Sequence, residues 1–248
     1  MLEGLDQASG LRRLVAAPRL ALLAFPVAAG SPQPWIAQLA CALRALGRKP
    51  MVLDAGRGVV AGAFGLRLRH ELVDLLHGER EFDEVARPTA DGVYVLRADR
   101  GVDEFVASGA PAARLLEGFA RLSHGFDDLL LAMAPNELAS LASPRSSVPV
   151  LGVDAAGDGV VGGYGVAKCL AEEFGYRRFA CVVREARSEA DARGAHARLA
   201  GAASRFLNAE VAYAGSLPVA AAAGVAADAF MRTAQALLQT AAVPLAPA

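Results

Sequence analysis

Short apolar runs alternate with amphipathic stretches along most of the chain. The first run covers 20–25, an amphipathic stretch follows over 34–46, and a second apolar run covers 50–54. Pro34 is suited to the first turn of a helix, and Gly47 to the position just after its end. A strand, a helix and a second strand in this order form a βαβ unit, which makes a parallel sheet covered by helices.

The same alternation continues toward the C-terminus of this 248-residue chain, which is 54% hydrophobic. Further strands are predicted over 92–96, 128–132, 148–153, 179–183 and 211–217, and further helices over 111–122, 136–142, 162–174, 189–206 and 226–240. The pattern predicts an α/β fold, doubly wound, with a mainly parallel sheet and helices on both faces. We assign 1–18 to a short N-terminal helical element, 19–242 to a single domain and 243–248 to a frayed tail.

Charge and cysteine usage exclude several classes of function. The formal net charge is -1, from 25 basic and 26 acidic side chains, so no overall field attracts nucleic acid. The apolar run over 20–29 is about half the length that spans a bilayer, which argues against stable membrane insertion. Three cysteines in apolar surroundings, without metal-ligand spacing, fit a reducing compartment and no metal site. The sequence predicts a cytoplasmic protein.

The turn after the first strand is the place where a nucleotide-binding α/β protein cradles phosphate. Such a cradle needs glycines whose N–H groups converge on oxygens, a lysine, and a Ser or Thr hydroxyl for Mg²⁺. Between Val27 and Trp35 there are one glycine (Gly30), no lysine, and two prolines, Pro32 and Pro34. Each proline removes an N–H donor. The sequence therefore predicts a nucleotide-type fold without a working nucleotide site.

Three stretches of the chain carry a family resemblance. Residues 5–14 contain an Asp-Gln-Ala-x-x-Leu-Arg element; the second stretch runs over 39–55 and 65–80; the third covers 182–190, 205–208 and 213–218. Together they resemble the MinD/ParA superfamily of deviant P-loop ATPases, and within it the flagellar-number regulators of the FlhG/FleN type. The resemblance implies the doubly wound fold and a nucleotide site at the turn described above.

The resemblance also gives each residue of this turn a family position. Pro32 stands where the family has its P-loop lysine, and Gln33 where it has the Mg²⁺-binding Ser or Thr. Val27 stands at the additional signature lysine, and Gly30 is the glycine that remains in the loop. Neither cationic position of the family keeps its charge.

Further along the chain, one family position is retained and three are lost. Asp54 is retained, but Gly56 stands where the family has a second acidic residue. Ala132 replaces an aspartate near Mg²⁺, and Arg184 replaces an asparagine that contacts adenine. Because phosphoryl transfer depends on positioning and charge neutralisation, the resemblance implies a pseudo-ATPase without catalytic residues, ATP or Mg²⁺. Without nucleotide, we expect a monomer or a nucleotide-independent dimer.

The N-terminal element can form a short amphipathic helix. Asp6 is suited to its N-cap, with Ala8, Leu11 and Leu14 on one face. In the family this element stimulates FlhF, a GTPase of the signal-recognition-particle type. The resemblance therefore implies an FlhF-like GTPase as partner, with Gln7 near its active site. The partner-binding residues that it implies are Asp6, Gln7, Ala8, Leu11 and Arg12.

Two other functions remain open at the level of the sequence. The chain can be an antiactivator that binds an enhancer-dependent flagellar transcription factor, in which case the N-terminal element is dispensable. It can also be a weak ATPase of the MinD/ParA type with an unusual site.

Overall fold

The computed structural model describes residues 20–28, 30–120, 125–145, 147–218, 223–241 and 243–244. The strands are β1 (Ala21–Pro26), β2 (Pro50–Asp54), β3 (Arg87–Pro88), β4 (Tyr94–Arg97), β5 (Asp128–Met133), β6 (Val150–Asp154), β7 (Arg178–Ala186), β8 (Glu210–Pro218) and β9 (Val243–Pro244). The helices are α1 (Pro34–Ala45), α2 (Leu72–Leu76), α3 (Phe82–Val85), α4 (Asp99–Ala107), α5 (Ala112–Ala120), α6 (Pro135–Leu141), α7 (Gly159–Phe174), α8 (Glu189–Leu207) and α9 (Ala223–Thr240).

The strands form two hydrogen-bonded sheets that meet at β1. The larger has the order β3-β4-β2-β5-β1-β9, and the smaller has the order β6-β7-β8. A parallel bridge between Ala24 and Pro149 joins them, and β3 and β9 are the antiparallel strands. The prediction of a doubly wound, mainly parallel sheet is confirmed.

Helices cover both faces of the sheet. Alternate residues of β1 point to opposite sides: Leu22 packs in the cluster beneath α2 to α8, and Leu23 in the cluster beneath α1 and α9. This alternation follows from the two-residue period of a strand. Because both faces are buried, the strands read as continuous apolar runs in the sequence.

The region between β2 and β5 is richer in structure than the sequence suggests. Helices α2 and α3 have five and four residues, too short for a helical period to show in the sequence. Helix α4 carries charged residues over most of its exposed face, and it was not predicted either. These helices matter because α2, α4 and α5 surround an apolar groove.

The C-terminal end differs from the predicted frayed tail. Val243–Pro244 pair antiparallel with Leu22 and Ala21 at the start of β1. The two prolines of the tail suggested fraying, but Pro244 lies at a sheet edge, where a missing N–H is tolerated. Residues 245–248 lie outside the described residues.

Candidate functional site

The loop between β1 and α1 crosses the carboxyl edge of the sheet where the strand order changes direction. β1 lies between β5 on one side and the Pro149 end of β6 on the other. In open α/β sheets this switch point is the usual ligand-binding crevice. The loop 27–33 is therefore the candidate site.

The backbone donors of this loop are turned toward the protein itself. Pro32 and Pro34 have no N–H, and Gly30 adopts the left-handed conformation with φ of 76°. Three of the remaining N–H groups donate to backbone carbonyls: Gly30 to Gly56 (3.0 Å), Ser31 to Ala28 (3.2 Å) and Gln33 to Val59 (3.0 Å). These N–H groups do not converge on a common point, as an anion cradle requires.

Apolar side chains fill the space beside the loop. Val27 is buried, and a Cβ added at Gly56 would lie 3.2 Å from Cγ2 of Val27 and 2.7 Å from Cγ2 of Val59. An acidic side chain at position 56 would need both valines to move.

The carboxylate of Asp54 is buried and already accepts three backbone hydrogen bonds. Oδ1 accepts from the N–H of Gly56 (3.2 Å), and Oδ2 from those of Val60 (2.8 Å) and Ala61 (2.7 Å). Burial raises the pKa of Asp54, and the three N–H groups oppose that rise. Asp54 therefore holds the chain after β2 in a closed turn.

A polar cluster closes the other side of the loop; we call Gln33, Trp35, Asp154 and Arg184 the plug. Arg184 pairs with Asp154 (Nη2 to Oδ1, 2.9 Å), and its Nη1 donates to Oε1 of Gln33 (3.4 Å). The same Oε1 accepts from Nε1 of Trp35 (2.7 Å), whose ring lies 5.8 Å from the guanidinium. The Nε of Arg184 is buried without a hydrogen-bond partner in the described part of the chain. The plug connects the loop after β1 to β6 and β7.

The indole of Trp35 packs closely against Phe25 and Gly152. It packs edge-on against Phe25, with ring centres 5.5 Å apart, and is nearly fully buried. A Cβ at Gly152 would lie 2.7 Å from its Cζ2, so only glycine there leaves room for the ring.

Little open space remains beside the plug. The cleft lined by Val27, Gln33, Trp35 and Arg184 has a volume of about 130 Å³, below the roughly 300–1,000 Å³ typical of ligand pockets. No three His, Cys, Asp or Glu side chains of the described residues come together as metal ligands. The residues present therefore do not fit a magnesium-bound triphosphate.

Comparisons with known proteins identify the fold. No protein-family model matches the sequence. MinD from Aquifex aeolicus aligns with a TM-score of 0.63 and 18% identity over 91% of this chain and 99% of that one. Cobyrinic acid a,c-diamide synthase from Mycobacterium smegmatis, with bound ADP and magnesium, aligns with a TM-score of 0.64 and 17% identity over 92% and 100%.

A further protein is similar to this chain in sequence. The antiactivator FleN of Pseudomonas aeruginosa is 28% identical over 186 residues, which cover 73% of this chain and 66% of FleN. The chain has the fold of the MinD/ParA superfamily, and its sequence is similar to that of an FlhG/FleN-type protein. The match spans slightly less than two thirds of the length of FleN.

The structure brings most of the predicted nucleotide-site residues together. The contacts above join Val27 to Gly56 and Gln33 to Arg184. Ala132 lies beside Asp54 in register on β5 and is fully buried. Pro32 is exposed at the loop surface.

The sequence did not predict all residues of the plug. Trp35 was not assigned to the site, and neither Asp154 nor Gly152 was considered as its neighbour. One signal was available: Asp154 and Arg184, of opposite charge, directly follow the predicted strands 148–153 and 179–183, and the structure pairs them in register. The ring of Trp35 packs against Gly152, which is far away in sequence, so no local sequence pattern indicated this contact.

The predicted partner-binding residues of the N-terminal element lie outside the described residues. They are Asp6, Gln7, Ala8, Leu11 and Arg12.

In the described ranges, no helix combines the length and the apolar character needed to cross a bilayer.

Proposed function

We propose that this chain is a FlhG/FleN-type regulator of flagellar number or placement that acts through protein contacts and neither binds nor hydrolyses ATP. One observation carries the proposal: in the loop that would cradle phosphate, the N–H groups of Gly30, Ser31 and Gln33 donate to backbone carbonyls, and the plug closes the loop. Phosphoryl transfer relies on positioned donors and cations, and this loop offers neither. The scaffold then serves as a docking surface.

Nucleotide binding is testable with a probe that the chain carries. Trp35 is the only tryptophan and belongs to the plug. We expect MgATP and MgADP, each titrated to about 1 mM, to give no binding heat and no change in Trp35 emission. A titration to about 1 mM detects binding with a Kd of about 1 mM or lower, which corresponds to a binding free energy of about 4 kcal/mol or more.

A MinD-type ATPase in the same buffer is the positive control. Sedimentation with and without MgATP should give the same mass, because no dimer depends on nucleotide here. Micromolar binding of either nucleotide would contradict the proposal and support the weak-ATPase alternative.

For the partner, we propose an FlhF-like GTPase of the signal-recognition-particle type, engaged by the N-terminal element. The Asp-Gln-Ala-x-x-Leu-Arg pattern at residues 6–12 supports this proposal. A glutamine amide can orient an attacking water, so Gln7 is the residue expected to act on the partner's GTP.

The GTPase proposal predicts a specific loss of function. Intact protein should stimulate a purified FlhF-like GTPase, and Gln7→Ala should lower the stimulation by about tenfold or more, because the water loses its orienting amide. Removal of the residues before Arg19 should abolish it. Ser9→Ala, at an unspecified position of the pattern, is the matched control and should retain stimulation. If intact protein gives no stimulation, this partner is wrong.

The antiactivator alternative is favoured by the name of the P. aeruginosa relative. It predicts that the domain binds an enhancer-dependent flagellar transcription factor and that removal of the residues before Arg19 leaves this binding intact. The same truncated protein therefore separates the two partners: it loses stimulation under the first proposal and keeps transcription-factor binding under the second.

A further inference from the structure

An apolar groove of about 400 Å³ lies between α2, α4 and α5. Its walls include Leu76 of α2, Phe105 of α4, and Leu115 and Phe119 of α5, and Leu76 is 40% exposed. Of the described residues, Arg114 is the only charged one that lines it. A small polar ligand would need several convergent polar groups, which these walls lack. The apolar face of an amphipathic helix suits them better.

We propose that the groove is the docking site of this chain's own residues 5–14. The first described residue, Leu20, is buried. The N–H of Ala21 donates to the carbonyl of Asp127 (2.8 Å), so the start of β1 lies beside the turn into β5, the strand that follows α5. Residues 1–19 therefore join the domain at the edge of the sheet toward which α5 runs.

The segment has the length and the polarity to fill the groove. As a helix, residues 5–14 are about 15 Å long, and the connector 15–19 extends up to about 17 Å. The apolar residues of this segment share one face: they are Ala8, Leu11 and Leu14. An apolar helix face of this kind matches the apolar walls of the groove.

The groove also offers a charged group to this occupant. Arg114 lines the groove and is of opposite sign to Asp6 of the segment. Docking holds the N-terminal element on its own domain until a partner displaces it.

A groove-filling variant tests the proposal in the full chain. Gly118 in α5 lines the groove, and a Cβ there meets no atom within 4 Å, so Gly118→Leu adds a side chain at the groove and favours the helix. Gly201 in α8 is equally open and lies outside the groove lining, so Gly201→Leu is the matched control. By hydrogen exchange with mass spectrometry, the amides of 5–14 should exchange about tenfold faster or more in Gly118→Leu, and unchanged in Gly201→Leu.

A second variant approaches the contact from the other side. Leu11→Asp should release the segment to the same extent while the domain keeps its melting temperature. The proposal is overturned if the wild-type amides of 5–14 exchange at the rate of an unstructured peptide, or if Gly118→Leu leaves their exchange unchanged. Protection that disappears on dilution would assign the groove to a second copy and overturn it as well. No GTPase or nucleotide enters this experiment, so its outcome is independent of the proposed function.

Discussion

Asp54→Ala is expected to lower the free energy of unfolding by about 3 kcal/mol, although an ATPase would tolerate loss of a metal-site carboxylate with its fold intact. The substitution leaves three buried N–H groups without an acceptor, those of Gly56, Val60 and Ala61. Each such group costs about 1–3 kcal/mol. Removal of a carboxylate whose pKa is raised by burial offsets part of that cost. Urea denaturation followed by circular dichroism measures the difference.

The matched control for Asp54 is an aspartate without such bonds. Asp158 is exposed and makes no side-chain cap to α7, so Asp158→Ala should change stability by less than about 0.5 kcal/mol. If Asp54→Ala is as stable as wild type, the closed turn after β2 does not depend on this carboxylate, and the structural role assigned to Asp54 is wrong.

Trp35→Ala is expected to cost about 3–5 kcal/mol, the range for deletion of a buried aromatic side chain. The side chain is 6% exposed, packs on Phe25 and donates to Gln33. For a domain of this size the melting temperature should fall by roughly 6–20 °C. Differential scanning calorimetry gives the shift directly.

Two further variants separate packing from hydrogen bonding at the plug. Trp35→Phe keeps an aromatic ring but removes the Nε1 donor, so it should cost less than Trp35→Ala. Phe206, an aromatic residue that is 66% exposed on α8, provides the control, and Phe206→Ala should be nearly neutral. Equal melting temperatures for Trp35→Ala and Phe206→Ala would show that the plug does not hold the loop.

The sequence was a good guide to the main strands and long helices. β1, β2, β5 and α1 follow the predicted ranges within one or two residues because each is a continuous apolar or amphipathic run. The short helices α2 and α3 were not predicted, since their few residues show no period. Helix α2 packs against α4, which the sequence did not predict either.

For the candidate site, the sequence supplied the positions but not the contacts. The absence of lysine and the two prolines of the loop predicted that phosphate donors would be missing. The structure shows which carbonyls accept hydrogen bonds from the remaining N–H groups, and that three backbone N–H groups donate to Asp54. These hydrogen bonds depend on how the loops after β1 and β2 pack together. Only the folded chain brings those loops together.

The sequence by itself determined that this chain forms a doubly wound α/β domain, because the alternation of apolar and amphipathic runs is a local pattern; the resemblance to the MinD/ParA superfamily added that the residues at the nucleotide positions are altered. Only the tertiary structure decided what replaces the site. Gln33, Trp35, Asp154 and Arg184 come from separate elements and meet only when β6 and β7 pack beside β1. Such contacts between distant residues leave little trace in local sequence, since each residue alone is compatible with many surroundings.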